Sequence, residues 1–241
     1  ARRQIGSLVK PAIYLTALMR PSQYNLLTPL SDNLVELKTM DGKLWRPQNY
    51  DLQEHGEVPL YLALANSYNL STVNLSQHLG LDAIVQTLQR LGMNTPIRQV
   101  PAIALGAIEM SPYQVTQSYH TLANGGSLTY LSGIVSVMDT DGNLLKHYDL
   151  KTDRNLPEEP VWLLQWAMEQ VMREGTAKAA YSVLPSTMRF AGKTGTTNDK
   201  RDAWFAGFGG DRVGVVWVGR DDNKPIGLSG GQAALPIWTE I

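Results

Sequence analysis

A serine and a lysine three residues apart, Ser7 and Lys10, stand directly before the apolar run 12–19. This pattern predicts a buried helix that starts near Ser7, and residues i and i+3 lie on the same face of a helix. The lysine amine can therefore reach the serine hydroxyl, and an adjacent base is the usual way to activate a serine nucleophile. Such a base must be neutral, so the pKa of Lys10 has to be lowered by burial or by a cationic neighbour. Taken alone, the pattern fits a helix-capping serine beside a solvated lysine better than it fits a nucleophile with its base.

Composition narrows the classes of protein to consider. The 241 residues are 43% hydrophobic, which allows one large domain or two small ones. The net charge is −1 without a long block of either sign, so a nucleic acid or an anionic membrane surface is not suggested as a partner. The absence of cysteine excludes disulfides, thiolate metal sites and a cysteine nucleophile, and it suits an oxidising compartment such as a periplasm.

No apolar run approaches the ~18 residues of a membrane span, and no signal-peptide pattern is present. We expect the chain to be a fragment of a longer protein.

Hydrophobic periodicity and turn signals predict an α+β fold, with a mainly helical region packed on an antiparallel sheet. Two hairpins are predicted, at 34–45 around Asp41-Gly42 and at 134–148 around Asp141-Gly142. Segment 20–33 is interpreted as a loop. Helices are predicted at 57–64, 73–80, 81–91, 111–124, 158–173 and 231–241, the last one broken near Pro236. Strands are predicted at 188–193, 203–208 and 213–219.

Two further segments place Ser7 and Lys10 in a recognisable set. Ser67-Tyr68-Asn69 lies in a short polar junction between two predicted helices, and Lys193-Thr194-Gly195-Thr196-Thr197 closes a predicted strand. We expect the glycine to let a substrate backbone come close. The motifs Ser-x-x-Lys, Ser-x-Asn and Lys-Thr-Gly in this order are typical of penicillin-binding proteins and serine β-lactamases. Each motif is weak alone, and the ordered trio is strong.

Two competing motifs are set aside. Ser31-Asp32-Asn33 also fits Ser-x-Asn, but it follows Ser7 closely, in the loop that leaves the first helix, so Ser67 is favoured. The segment 227–231 matches Gly-x-Ser-x-Gly, which in α/β-hydrolases requires an acid and a histidine downstream. The last histidine is His147, so this match is interpreted as coincidence.

The sequence resembles the transpeptidase domain of the penicillin-binding proteins, most closely the bifunctional class A members of the 1b type from Gram-negative bacteria. The resemblance covers nearly all of the chain. It is carried by the three motifs, by Pro11 after the lysine, and by the segments 3–11, 104–112 with 122–126, and 202–208. It implies the fold of penicillin-binding proteins and serine β-lactamases, over one domain at 1–241. Family members also have N-terminal strands, a linker, a glycosyltransferase domain and a membrane anchor, which we expect this fragment to lack.

The resemblance implies a peptidoglycan D,D-transpeptidase. Ser7 would attack the penultimate carbonyl of a D-Ala-D-Ala stem peptide, and an amine of a neighbouring stem peptide would resolve the acyl-enzyme. Lys10 would be the general base of acylation. Ser67 would pass the proton to the leaving amine, and Asn69 would position Lys10 and the substrate amide.

The strand motif would bind the substrate carboxylate or a β-lactam. Lys193 would supply positive charge and help to hold Lys10 neutral. The hydroxyls of Thr194 and Thr196 would donate hydrogen bonds, with Gly195 and Thr197 completing the binding segment. The backbone N–H groups of Ser7 and Thr196 would form the oxyanion hole, where one donor is typically worth ~3–4 kcal/mol.

Several residues have a simpler interpretation. Trp204 and Phe205 are interpreted as core, and Trp162 and Trp166 as the core of their helix. Arg201 and Asp202 are interpreted as a surface ion pair. No cluster of histidines and carboxylates suggests a metal, and no cofactor is expected.

Alternatives remain in two classes. A D,D-carboxypeptidase or a serine β-lactamase shares the acylation step, but a fast β-lactamase needs a base for deacylation. Glu109 is the acidic residue at a plausible distance after Ser67, and it falls in a segment that resembles the penicillin-binding proteins, so slow turnover of penicillin is predicted. A non-catalytic β-lactam sensor or scaffold is the other class. The resemblance also implies a location at the periplasmic face of the inner membrane, cell-wall synthesis partners, and a role as a β-lactam target in antibiotic resistance.

Overall fold

The computed structural model describes residues 2–38 and 42–241 of the chain. Within these ranges the α-helices run Lys10–Leu18 (α1), Leu60–Ala65 (α2), Asn69–Leu79 (α3), Leu81–Arg90 (α4), Pro112–Ala123 (α5), Glu158–Arg173 (α6) and Gly230–Thr239 (α7). The strands are Arg3–Gln4 (β1), Pro29–Ser31 (β2), Leu37–Lys38 (β3), Leu44–Trp45 (β4), Glu57–Pro59 (β5), Glu109–Met110 (β6), Ser127–Thr129 (β7), Ser136–Met138 (β8), Leu144–His147 (β9), Thr152–Arg154 (β10), Ala191–Thr196 (β11), Asp202–Gly209 (β12) and Arg212–Gly219 (β13).

The α+β prediction is confirmed. The strands β11, β12 and β13 form an antiparallel sheet in sequence order, and the helices α6 and α7 pack against it. Helix α1 is buried along its whole length and contacts α3, α4 and α6, so it forms the centre of the helical region. Within the described ranges, every helix is either too short or too polar to cross a membrane.

Local signals placed several elements correctly. Helix α6 has the predicted bounds, and α5 begins with the predicted Ser111-Pro112 start, where the Ser111 side chain and Gln114 form a capping box. The hairpin strands β8 and β9 pair as predicted around Asp141-Gly142. Strands β3 and β4 also pair, while Asp41 of their predicted turn lies outside the described residues.

Other predictions of local structure and burial were wrong. Residues Glu57–Pro59 form strand β5, because the residue before a proline is disfavoured in the helical region and Pro59 itself is extended. The predicted loop 20–33 contains the partner strand β2. Helix α7 continues through Pro236 without the predicted break. Trp162 and Trp166, expected in the core, are 55% and 39% exposed.

The strand that carries the Lys-Thr-Gly motif begins three residues later than predicted and includes the motif instead of ending at Lys193. Residues Lys193 and Thr196 pair with Ala206 and Ala203 of the neighbouring strand. Gly192 permits this register, because a Cβ there would lie 2.5 Å from the Phe205 ring. The motif therefore lies in the edge strand β11, where antiparallel pairing with β12 fixes the positions of its side chains.

Candidate active site

The nucleophile candidate Ser7 lies in a 3-10 turn, Gly6–Val9, that leads directly into α1. Gly6 has φ +52°, a conformation that L side chains rarely adopt, and a Cβ on it would overlap the Thr196 carbonyl oxygen. Gly106 is equally constrained, since its Cβ would overlap the backbone of Gly6. Three backbone segments thus meet at the residue before Ser7, and this fixes the serine against the end of β11.

Lys10 is fully buried one turn below Ser7. Its Nζ atom lies 2.6 Å from the Ser67 carbonyl oxygen, 2.7 Å from Asn69 Oδ1 and 3.2 Å from Ser67 Oγ. Burial lowers the pKa of Lys10 well below its ordinary value, the charge of Lys193 lowers it further, and the charge of Asp32 opposes both. A neutral amine can donate to the two nearer oxygens and turn its lone pair towards a hydroxyl proton.

Lys193 approaches Ser67 from strand β11. It is fully buried, and its Nζ donates to Ser67 Oγ at 2.8 Å and to the Thr194 carbonyl oxygen at 3.3 Å. Burial lowers the pKa of Lys193 to about 7. Ser67 Oγ therefore bridges the two lysines, and it can accept a hydrogen bond from one while it donates to the other.

The Ser67–Asn69 turn joins α2 to α3 in a strained conformation. Ser67 has φ +59°, which is uncommon for a residue other than glycine. Backbone strain of this kind is often found at functional sites. Asn69 begins α3, and its side chain accepts from Lys10 and donates to the Gln48 carbonyl oxygen at 2.8 Å. The structure thus brings Asn69 into contact with Lys10, and its role in positioning that lysine and the substrate amide stays a prediction.

A cavity of about 400 Å³ opens over these residues. Its lining includes the predicted Ser7, Ser67, Asn69, Thr194 and Thr196. The Thr194 hydroxyl is 2.7 Å from that of Thr176, and the Thr196 hydroxyl accepts from the Gly230 N–H at 3.0 Å. Five of the predicted side chains therefore share one solvent-accessible cleft, with both lysines buried beneath it.

Two members of the predicted binding segment face elsewhere. The Thr197 hydroxyl donates to Asp202 Oδ2 at 3.0 Å, and the residue lines an adjoining cavity of about 330 Å³ instead of the 400 Å³ cavity. A Cβ on Gly195 would lie 2.8 Å from the Ile5 carbonyl oxygen and 2.9 Å from Leu8 Cγ. The glycine therefore admits the nucleophile turn of the protein itself, and contact of either residue with substrate stays a prediction.

The interpretation of Arg201 and Asp202 as a surface ion pair was wrong. Asp202 is buried, and it binds Thr197 and the Trp217 indole N–H, the latter at 3.0 Å. Arg201 pairs with Asp199 instead. Thr197 directly follows β11, so its hydrogen bonds with Asp202 fix the end of the strand that carries Thr196.

Sequence reasoning missed other residues that line the cleft. Thr176 and Tyr50 carried no motif. Ser229, in the Gly-x-Ser-x-Gly match dismissed as coincidence, precedes α7, forms a capping box with Gln232 and lines the cavity. A second cavity of about 330 Å³ shares Asn69, Thr196 and Asn198 with the first and extends to Trp45 and Arg46.

Comparison with known proteins gives a consistent result. The family model described as the penicillin binding protein transpeptidase domain matches residues 1–241. Penicillin-binding protein 1B of Vibrio cholerae is 48% identical over 241 residues, which are 100% of this chain and 31% of that protein. Penicillin-binding protein 1B of Escherichia coli is 42% identical over 99% of this chain and 28% of its own length. The chain thus spans about a third of the curated relatives it matches.

The fold is shared with a solved structure. The crystal structure of penicillin-binding protein 1A from Haemophilus influenzae superposes with a TM-score of 0.89 at 26% identity, covering 99% of this chain and 41% of that one.

Proposed function

This chain belongs to the family of penicillin-binding protein transpeptidase domains, and from that membership we propose that it cross-links peptidoglycan stem peptides through an acyl-enzyme on Ser7. The observation that carries the proposal is the chain of contacts Lys10–Ser67–Lys193 beneath the cleft that Ser7 lines. Two buried amines with lowered pKa values, joined by one hydroxyl, provide both a neutral base and a path for the proton.

We propose the following acylation step for these residues. The Ser7 hydroxyl attacks the penultimate D-Ala carbonyl and gives its proton to neutral Lys10, while the backbone N–H groups of Ser7 and Thr196 receive the developing oxyanion. The amide C–N bond then breaks, and Ser67 relays the proton from Lys10 to the amine of the departing D-Ala. The products are an ester on Ser7 and free D-Ala. A β-lactam would acylate the same serine by ring opening.

The substrate carboxylate would lie at the β11 end of the cleft. Thr194 and Thr196 line the cavity there, and Lys193 lies immediately beneath with a pKa of about 7, so it carries charge in a large fraction of molecules at neutral pH. A carboxylate bound above it would favour the charged form further. Deacylation then needs a second stem-peptide amine, and the 330 Å³ cavity that adjoins Asn69 and Thr196 offers room for part of a peptide.

A β-lactamase is disfavoured by the position of Glu109. This residue lies in β6, its side chain is exposed, and it does not line the 400 Å³ cavity. Within the lining of that cavity, the acidic residue present is Asp51, which pairs with His55 at 3.1 Å. The described lining of the 400 Å³ cavity thus contains no unpaired carboxylate to activate a deacylating water, which favours transfer to an amine over rapid hydrolysis.

We propose that the whole protein acts at the periplasmic face of the inner membrane with cell-wall synthesis partners, by analogy with relatives of the 1B type. The reaction itself is testable on the domain. Incubation with a D-Ala-D-Ala stem pentapeptide and an amine acceptor should release D-Ala and form the cross-linked amide, and Ser7→Ala should do neither. Release of D-Ala without amide product would indicate a carboxypeptidase, and absence of both from folded protein would favour the sensor or scaffold.

A further inference from the structure

A fully buried carboxylate, Asp32, lies behind the active site in the segment Ser31-Asp32-Asn33, the second match to Ser-x-Asn. Its Oδ1 accepts from the Ser71 N–H at 2.9 Å and from the Ser71 hydroxyl at 2.6 Å. Its Oδ2 accepts from Asn49 Nδ2 at 2.6 Å and from the His55 N–H at 3.1 Å, and it lies 2.7 Å from His55 Nδ1. An ionised group is costly to bury unless it is satisfied in this way.

Asn49 connects this carboxylate to the active site. Its side-chain oxygen accepts from the backbone N–H groups of Asn69 at 2.7 Å and Leu70 at 3.1 Å. These are the first two N–H groups of α3, and Tyr68, the residue before the helix, provides no side-chain cap. Asn49 therefore caps α3 from a distant loop, and Asp32 holds the capping amide in place.

His55 adds a contact from the other side of the turn. Its ring stacks on Tyr68, the middle residue of Ser67–Asn69, with 4.0 Å between ring centroids. Its Nδ1 faces Asp32, and its Nε2 lies 3.1 Å from Asp51. The turn that presents Ser67 and Asn69 to Lys10 is thus held at both its helix start and its central side chain by groups bonded to Asp32.

The charge of Asp32 also reaches the site. Burial raises the pKa of Asp32, but hydrogen bonds from Ser71, His55 and Asn49 more than offset this and leave the pKa below its ordinary value. The carboxylate is therefore ionised at neutral pH. The charged groups acting on Lys10 are Lys193, which lowers its pKa, and Asp32, which raises it.

The surroundings of Asp32 contain further titratable groups. His55 contacts it directly, Asp51 lies beyond His55, and the Tyr14 and Tyr68 phenols feel its charge.

We propose that Asp32 is a positioning residue for acylation, which fixes the Ser67–Asn69 turn against Lys10 and places a negative charge behind that amine. The role rests on the proposed function, in which Lys10 is the base for Ser7. Asp32 does not line the substrate cavity, so it acts through Asn49, Ser71 and the turn.

The test is Asp32→Asn, which preserves size and removes the charge. We expect the second-order rate constant for acylation of Ser7 by benzylpenicillin to fall ~10–100-fold, as expected for small misplacement of catalytic groups. The acid limb of the pH profile should move to lower pH, because loss of the Asp32 charge lowers the pKa of Lys10. The alkaline limb, assigned to Lys193, should stay in place. Loosening of the structure alone would lower the rate without moving one limb selectively.

The matched control is Ser31→Ala, an exposed residue directly before Asp32, which should react within about twofold of the unsubstituted protein. The proposal is overturned if folded Asp32→Asn also reacts within about twofold, or if its acid limb does not move. If Asp32→Asn does not fold, Asn49→Ala decides: a fall of ~10-fold with a cooperative melt supports the role, and an unchanged rate overturns it. Absence of a Ser7 adduct in the unsubstituted protein would instead overturn the proposed function, and this role with it.

Discussion

Replacement of Gly6 by alanine should separate the nucleophile turn from the strand that carries Thr196. A non-glycine residue at φ +52° costs ~1–2 kcal/mol by itself. The added Cβ would also overlap the Thr196 carbonyl oxygen and lie 2.9 Å from its carbonyl carbon, and both neighbours are backbone atoms that no side-chain rotation can move. The turn and the strand must therefore shift apart.

This shift acts on the proposed oxyanion hole, because its two donors, the N–H groups of Ser7 and Thr196, belong to the two segments that separate. Loss of one such donor typically costs ~3–4 kcal/mol of transition-state stabilisation, which is about 10²–10³ in rate. We expect Gly6→Ala to slow acylation by benzylpenicillin by that factor. Stopped-flow or quenched mass spectrometry of the Ser7 adduct measures the rate.

The control for backbone strain is Gly210→Ala. Gly210 has φ +59°, close to that of Gly6, but nothing lies within 4 Å of its added Cβ. It should lose ~1–2 kcal/mol of stability, about 2–8 °C in Tm for a domain of this size, and acylate at the normal rate. The reasoning is refuted if Gly6→Ala acylates as fast as Gly210→Ala.

Three other outcomes follow from the site. The rate of acylation should show a bell-shaped pH profile. It should fall on the acid side because Lys10 becomes protonated, and on the alkaline side because Lys193, with its pKa of about 7, loses the charge that binds a carboxylate. A rate that still rises above pH 8 would contradict this. Asp202→Ala should lower the free energy of unfolding by ~1–3 kcal/mol, because the Thr197 hydroxyl and the Trp217 N–H lose their buried acceptor. Thermal melting measures this, and an unchanged Tm would count against a stabilising role of these two hydrogen bonds. Glu109→Gln should leave the lifetime of the benzylpenicillin adduct unchanged, whereas a much longer lifetime would identify Glu109 as a deacylation base.

The sequence predicts best what local signals and motif order determine. Helix α6 follows from its periodicity, and α5 follows from the Ser111-Pro112 start. The distance along the chain from Ser7 also favoured Ser67 over Ser31, and the structure places Ser67 between the two lysines. These features depend on residues close in the chain or on a pattern that the chemistry itself requires.

What the sequence could not predict depends on contacts between distant segments. Asp32 was recognisable as part of a motif, but its role depends on Asn49, His55 and Ser71, which lie 17 to 39 residues away. The packing role of Gly195 likewise depends on Ile5, at the other end of the chain. No local pattern specifies such partners, since burial and register decide them.

The most direct test of Ser7 as nucleophile is intact-protein mass spectrometry after mixing with benzylpenicillin, followed by peptide mapping and a Ser7→Ala control. The proposed mechanism predicts a mass increase of one penicillin, located on the peptide that contains Ser7, absent from the variant and lasting for hours. Its persistence would also disfavour a β-lactamase. A folded protein that forms no adduct, or forms it equally after Ser7→Ala, would contradict the mechanism.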